Sequence, residues 1–314
     1  MKVLNKIIII VILVACLYAA FLIASDVSKI SEKISSFKIE FLPIIILLVT
    51  SGWFILFARW HLLLKNSKIF IPKKDNLVIF FSSFALAVIP GKMGDLIKSQ
   101  LLKTKFGIPR SRTVPIVMLE QLYNVIGLVF VSFFGIWYFE LGTYVIGFFT
   151  ALLIFVFILI SSRKTFNKMV SLLGKWKYTS KFVEPLSSSY DTIKKSIRGP
   201  IAFYASALTI IYWLIETIVV YFTLLAFGID SIEFLKVIPT YTTSLMLGFL
   251  SFLPMGVGVV EGSLASFFSL QGIDISLSLT LVVVIRLFTR WYGVVVGFFA
   301  LKFSGGLSLD ENVA

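Results

Sequence analysis

One cysteine in 314 residues excludes an internal disulfide. A single histidine, His61, beside that lone Cys16 leaves no cluster of imidazole or thiolate ligands, so no metal is expected. The glycines at 256, 258 and 262 are followed by no G-K-[ST] and preceded by no parallel strand, which excludes a phosphate-binding loop of the nucleotide type. They suit tight turning and close helix approach instead. No Ser/His/Asp or Cys/His set is present to act as a nucleophile system. No cofactor is expected and no catalytic motif is recognised, so the chain does not read as an enzyme. Charge is scarce as well: 14% of residues are Asp, Glu, Lys or Arg, where a soluble domain carries about 25%.

What is abundant is apolar. The chain is 58% hydrophobic and 16% aromatic, with a mean hydropathy of +0.98. That composition defines an integral membrane protein. The charge that remains is lopsided, at a formal +13. Basic loops facing anionic headgroups account for such a balance, and no motif supports nucleic-acid binding. The hydrophobic runs fall at 7–24, 41–64, 113–138, 142–161, 201–227 and 276–302, with shorter or interrupted ones at 77–89 and 234–253. The first reads as an uncleaved anchor, because no A-x-A cleavage site ends it. Arg59, near the end of the second, is expected to snorkel to the interface. Trp60, Trp137 and Tyr138 are expected at lipid-facing or interfacial positions.

The run 77–89 is expected to be capped by Asp75 and Asn76, and it stops at Pro90. Thirteen residues of helix rise only about 20 Å, short of a hydrocarbon core of roughly 30 Å. The run 234–253 ends at Pro254 and carries Pro239, the polar stretch Thr240 to Ser244, and Gly248. It reads as a second re-entrant segment. If both dip and return, the N-terminus, 65–76, 92–112, 162–200 and the C-terminus share one face, which holds most of the 29 Lys and Arg. The positive-inside rule makes that face cytoplasmic, both termini included, in a multi-pass protein of the plasma membrane. The stretch 162–200 is expected to form an amphipathic helical hairpin on the membrane surface.

An offset of 166 residues aligns unusual positions. Asp95 meets Glu261, Glu120 meets Arg286, Asn124 meets Arg290 and Gly127 meets Gly293; Pro90 meets Pro254 at 164. Each half has a segment stopped at proline, a charged break containing glycine, a short helix and a long span. The breaks comprise Pro90, Gly91 and Gly94, and Pro254, Gly256, Gly258 and Gly262. The fold expected is an all-α polytopic membrane protein with about six full transmembrane helices and two re-entrant hairpins in an inverted repeat. Its parts are an N-terminal helix pair (1–64), repeat 1 (75–138), two connecting helices (142–227) and repeat 2 (233–302). Lipid offers no partner for backbone N–H and C=O groups, so two breaks at depth imply a polar cavity within the protein.

Charges inside the spans support that cavity. Glu120, Glu216, Arg286 and Arg290 each cost about 2.5–3.5 kcal/mol at the bilayer centre. A purely structural explanation pairs Glu120 or Glu216 with Arg286. With Lys92 and Lys98 added, an excess of positive charge is expected in the interior, which suits an anionic ligand. Asp95 and Glu261 also read as caps of the helices after each break. The candidate substrate-binding set is Lys92, Asp95, Lys98, Glu120, Asn124, Glu216, Glu261, Arg286 and Arg290.

Four stretches resemble one family. "IPGKMGDLIKSQLL", "EQLYN", "LPMGVGVVEGSL" and "RLFTRWYG" resemble segments of the lysylphosphatidylglycerol synthase transmembrane region, also called the flippase-like domain family. The likeness covers residues 5 to 305. It implies a domain that moves an aminoacylated phospholipid between leaflets, with a separate soluble domain making that lipid. No synthase domain is expected here, and Gln121 and Asn124 stand where the family usually has Arg and Asp. The function expected is therefore a lipid flippase for an anionic or aminoacylated phospholipid or a polyprenyl-phosphate-linked lipid, working downhill or coupled to an ion. Lys92, Arg286 and Arg290 would neutralise a phosphate. Asp95, Glu120 and Glu261 would pair with them or hold a cationic part of the headgroup. Two other readings are a membrane partner of a lipid synthase or glycosyltransferase, and an intramembrane enzyme that modifies headgroups.

Overall fold

The computed structural model describes residues 35–89, 94–138, 140–175 and 183–305. The expected span at 7–24 and the residues Pro90, Gly91 and Lys92 lie outside the described residues. Within them, all regular structure is helical. Five helices are long and apolar enough to cross a membrane: Ile39–Asn66, Arg110–Tyr138, Gly142–Ser161, Gly199–Ala226 and Ile275–Phe303. The chain is thus an all-α polytopic membrane protein.

In chain order the α-helices are α1 (Leu42–Asn66), α2 (Lys73–Ser82), α3 (Ile97–Phe106), α4 (Arg110–Ser132), α5 (Glu140–Ser161), α6 (Arg163–Gly174), α7 (Val183–Ser196), α8 (Gly199–Ala226), α9 (Phe234–Leu250), α10 (Val259–Leu270), α11 (Ile275–Arg286) and α12 (Tyr292–Phe303). A 3-10 turn, Ser83–Leu86, extends α2, and another, Phe133–Tyr138, extends α4. A π turn at Leu287–Trp291 joins α11 to α12. Asp75 and Asn76 do not cap α2, as the sequence suggested, because the helix begins two residues earlier, after Pro72. Asn76 is instead fully buried between Trp60 and His61.

The repeated organisation is visible in the elements. Arg110–Tyr138 and Ile275–Phe303 are each 29 residues long. Each follows a helical hairpin: α2 and α3 before the first, α9 and α10 before the second. The short second arms end alike. Gly107 and Gly272 take positive φ (65° and 93°), and the amides of Ile108 and Ile273 then turn back to the carbonyls of Leu102 and Phe268. A left-handed residue costs a glycine little, so both glycines close their helices in this way. The 17 residues of α9 rise about 25 Å, too short for the hydrocarbon core. In its polar stretch Thr240, Thr242 and Ser244 donate to carbonyls four residues back.

The two halves grip one another crosswise. The end of the first long helix packs on α9, where Gly135 lies against the Leu235 carbonyl. Pro239 has no N–H to offer that carbonyl, so the close approach displaces no helix hydrogen bond. The end of the second long helix packs on α2 and its 3-10 turn, with Gly297 against the backbone of Phe84 and Ala85. Helices α1 and α8 lie side by side, and α8 also contacts α4, α9 and α11. The amphipathic α6 and α7 pack on each other and α7 on α4, through Phe166, Val170, Tyr190 and Ile193. A Cβ at Gly297 would lie 2.2 Å from the Ala85 amide nitrogen. Gly297→Val is therefore expected to cost about 1–3 kcal/mol by overpacking. Gly147→Ala, where a Cβ meets nothing within 4 Å, should be neutral or slightly stabilising. Melting temperatures of the two variants in detergent check the contrast.

Candidate functional site

The breaks in the two hairpins face a common cavity of about 290 Å³. Its walls include Arg59 from α1, Asp95 and Lys98 from the first hairpin, and Glu120, Gln121 and Asn124 from α4. Met255 and Gly256 line it from the second hairpin, and Arg286 and Arg290 from the last long helix. Each break is closed by backbone contact. A Cβ on Gly94 would lie 1.8 Å from the Leu86 carbonyl oxygen, and one on Gly256 would lie 2.9 Å from the Gly248 Cα. The second break turns through four residues with positive φ: Phe252, Met255, Gly256 and Gly258.

Arg286, 1% exposed, braces that second break. Its Nε donates to Glu261 Oε1 at 2.6 Å, and its Nη2 donates to the Met255 carbonyl at 2.6 Å. Glu261, fully buried, accepts the Gly258 amide through its other oxygen at 2.7 Å. One carboxylate thus caps α10 and anchors the arginine. Among the described residues, Nη1 of Arg286 is buried with no hydrogen-bond partner. One turn later, Arg290 Nη1 lies 3.3 Å from Glu216 Oε2, and Glu216 also accepts the Tyr241 hydroxyl at 2.7 Å. The pairing expected from sequence, Glu120 or Glu216 with Arg286, is not formed. Glu261 follows the break directly and reaches Arg286 first, leaving Glu216 on α8 to Arg290.

The first hairpin solves the same problem with opposite charges. Lys98 Nζ on α3 donates to Glu120 Oε2 at 2.6 Å and lies 3.6 Å from Asp95 Oδ1. Asp95 and Glu120 occupy the positions that Glu261 and Arg286 hold in the second half. Two acids there would repel, and Lys98 sits between them. Its ammonium lies 4.8 Å from the Trp60 ring centroid. Trp60 is fully buried and donates to Asn76, a correction of the interfacial position read from sequence. Trp137 is 92% exposed on the outer surface.

Arg59 is the site residue that the sequence misplaced. It does not snorkel; it is 2% exposed, with Nη1 donating to Asn124 Oδ1 and Thr209 Oγ1 at 2.8 Å each. Its Nη2 lies 3.9 Å from Glu120. The physical signal was there, since an arginine eight residues inside a helix end, beside buried positions, has little reach to water. Asn124 passes the polar chain on to Gln121 at 3.3 Å, and Gln121 passes it to Asp95 at 2.7 Å.

Seven sequence-derived site residues line the cavity: Asp95, Lys98, Glu120, Asn124, Gly256, Arg286 and Arg290. Glu216 and Glu261 stand behind the arginines, and Gly262 sits within α10 away from the walls. Among the described residues the cluster carries four cations (Arg59, Lys98, Arg286, Arg290) and four anions (Asp95, Glu120, Glu216, Glu261). Each of these cations has a carboxylate within 4.0 Å, and Lys92, which the excess expected from sequence includes, lies outside the described residues.

A bundle with two helical hairpins, crosswise long helices and a buried charged cavity defines a polytopic membrane protein with a central polar chamber. Residues 7–297 match the model described as the lysylphosphatidylglycerol synthase TM region, and the chain belongs to that family. Curated relatives include a UPF0104 membrane protein of Methanocaldococcus jannaschii, 26% identical over 220 residues, covering 68% of this chain and 91% of that protein. A UPF0104 membrane protein of Methanothermobacter thermautotrophicus is 31% identical over 110 residues, 35% of this chain. That match spans only 32% of the relative's length, and a second relative from the same organism is matched over 41% of its own.

Removing the charge of Glu261 leaves a buried arginine uncompensated, so Glu261→Gln is expected to cost about 3–5 kcal/mol. The Asp75–Lys105 pair, 38% and 32% exposed, should matter by less than about 1 kcal/mol when Asp75 is changed to Asn. Thermal unfolding in one detergent compares them directly.

Proposed function

We propose that the protein is a lipid translocase whose chamber admits a phosphate-bearing headgroup while the hydrocarbon chains stay in the bilayer. The observation that carries this reading is a chamber between two broken hairpins whose lining residues include Arg59, Lys98, Arg286 and Arg290. Arg290 keeps 20% of its side chain accessible, and a guanidinium can hold a phosphate by two hydrogen bonds. The shortness of both hairpins and their places before the two 29-residue helices support re-entry from opposite leaflets. Such an arrangement lets the chamber open to either side in turn.

In this reading the protein carries lipid and catalyses no covalent change, and its ligands are membrane lipids with anionic headgroups. A phospholipid, aminoacylated or not, and a polyprenyl-phosphate lipid both meet the requirement. The basic connections support a topology with both termini on the cytoplasmic side of the plasma membrane. Enzymes that make the lipid, a synthase or a glycosyltransferase, are the partners this role calls for.

The test is a proteoliposome assay with a fluorescent anionic phospholipid. Wild-type protein is expected to speed exchange between leaflets. An Arg286→Lys, Arg290→Gln double variant should lose at least about ten-fold, because the forked phosphate contact is gone. Unchanged exchange in that variant, verified as folded by its melting curve, would remove the chamber from the mechanism.

A further inference from the structure

The mouth of the chamber differs in chemistry from its depth. Arg59, Lys98, Glu120 and Arg286 line it at buried positions. Its lining residues that are exposed at the surface are Ala87, Phe249, Phe252 and Leu253, and all four are apolar. Ala87 follows the 3-10 turn that extends α2, while Phe252 and Leu253 lie between α9 and Pro254. The mouth is therefore framed by both hairpins. Phe148 and Leu250, exposed on the neighbouring α5 and α9, continue the apolar surface around it.

The change of chemistry can be followed along α4. Glu120, Gln121 and Asn124 line the polar end; Val125 and Leu128 come next and pack with Phe149 of α5 and Leu245 of α9. Phe149 meets Phe249 edge to face, with ring centroids 6.2 Å apart. A free solute leaving water for an apolar rim loses hydrogen bonds that the rim cannot replace. A hydrocarbon chain passing the same rim loses nothing and keeps its apolar surface covered. A cavity polar at depth and apolar at its mouth thus fits a molecule with one polar end and an apolar remainder. The rim also has a part suited to move. Phe252, 74% exposed, holds a left-handed φ of 53°, a conformation unfavourable for a residue with a Cβ. Its amide reaches the Phe249 carbonyl at 3.5 Å, the edge of hydrogen-bonding distance. Met255, at the same φ, is by contrast clamped through its carbonyl by Arg286.

We infer that the gap between the hairpin tips is a lateral portal, across which the hydrocarbon chain of a membrane lipid lies while its polar end is in the chamber, and that the Phe252 ring gates it. The inference rests on the lipid-binding role proposed above, and on neither the charge of the headgroup nor its translocation.

The test places the photo-cross-linker p-benzoylphenylalanine at Val125, on the chamber wall, or at Phe130, exposed further along the same helix. Each protein is irradiated in nanodiscs of phosphatidylglycerol and phosphatidylcholine, and lipid adducts are counted by mass spectrometry. Both positions are expected to capture phospholipid, Val125 from the chamber and Phe130 from the surrounding bilayer. Phe252→Asp puts a charge on the rim, in a residue type that tolerates left-handed backbone. A charge in hydrocarbon is costly, so capture at Val125 should fall about ten-fold or more while capture at Phe130 stays unchanged. Phe252→Gly, which relieves the backbone and removes the ring, should raise capture at Val125 about three-fold. Melting curves verify that the variants fold. Absence of lipid at Val125 in folded protein, a cross-link from Val125 to residues 7–24 of the chain itself in place of lipid, or capture indifferent to both Phe252 variants overturns the portal. Leaflet exchange in vesicles that persists at the wild-type rate in Phe252→Asp sinks the portal and leaves translocation standing. Capture at Val125 that follows Phe252 without any exchange leaves the portal standing and sinks translocation.

Discussion

A helix that stops inside a membrane leaves backbone groups that lipid cannot satisfy, and the fold is arranged around closing two such stops. Backbone closes part of each: Gly94 lies on the Leu86 carbonyl, and Gly256 on Gly248. Side chains complete the closure of the second break. At the second break Arg286 holds the Met255 carbonyl and, through Glu261, the Gly258 amide. The ions that would be costly alone are stable here because each neutralises another and satisfies backbone besides.

The two halves reach this result with opposite polarity. In the second, an acid on the short arm meets a base on the long helix; in the first, a base on the short arm, Lys98, sits between two acids. The aligned positions Asp95 and Glu261 are both acidic, and the sign changes only on the long helix, from Glu120 to Arg286. In the first half the amides of Asn124 and Gln121 also join Arg59 to Asp95 in one hydrogen-bonded chain.

The halves also hold one another. Gly135 on α9 and Gly297 on the turn after α2 place each long helix against the first arm of the opposite hairpin. The π turn at Leu287–Trp291 begins directly after Arg286 and contains Arg290, so the helix geometry is altered where both arginines line the chamber.

Much of this was legible in the sequence. Composition and run lengths define a polytopic helical membrane protein, and the spacing of Asp95 with Glu261 and of Glu120 with Arg286 marks the repeat, because charge within apolar runs is expensive and therefore sparse enough to align. The run at 77–89 suggested a hairpin by its shortness, and the run at 234–253 by Pro239, the polar stretch Thr240 to Ser244 and Gly248. Partner choice was not legible. Whether Glu261 or Glu216 meets Arg286 depends on which carboxylate arrives from the break, and that is a matter of distance in three dimensions. Arg59 and Trp60 illustrate the limit: hydropathy placed both at an interface, yet α8 and α2 cover them. Periodicity along one helix reports how apolar its faces are, and only the packing of the others decides which face sees lipid and which sees the chamber.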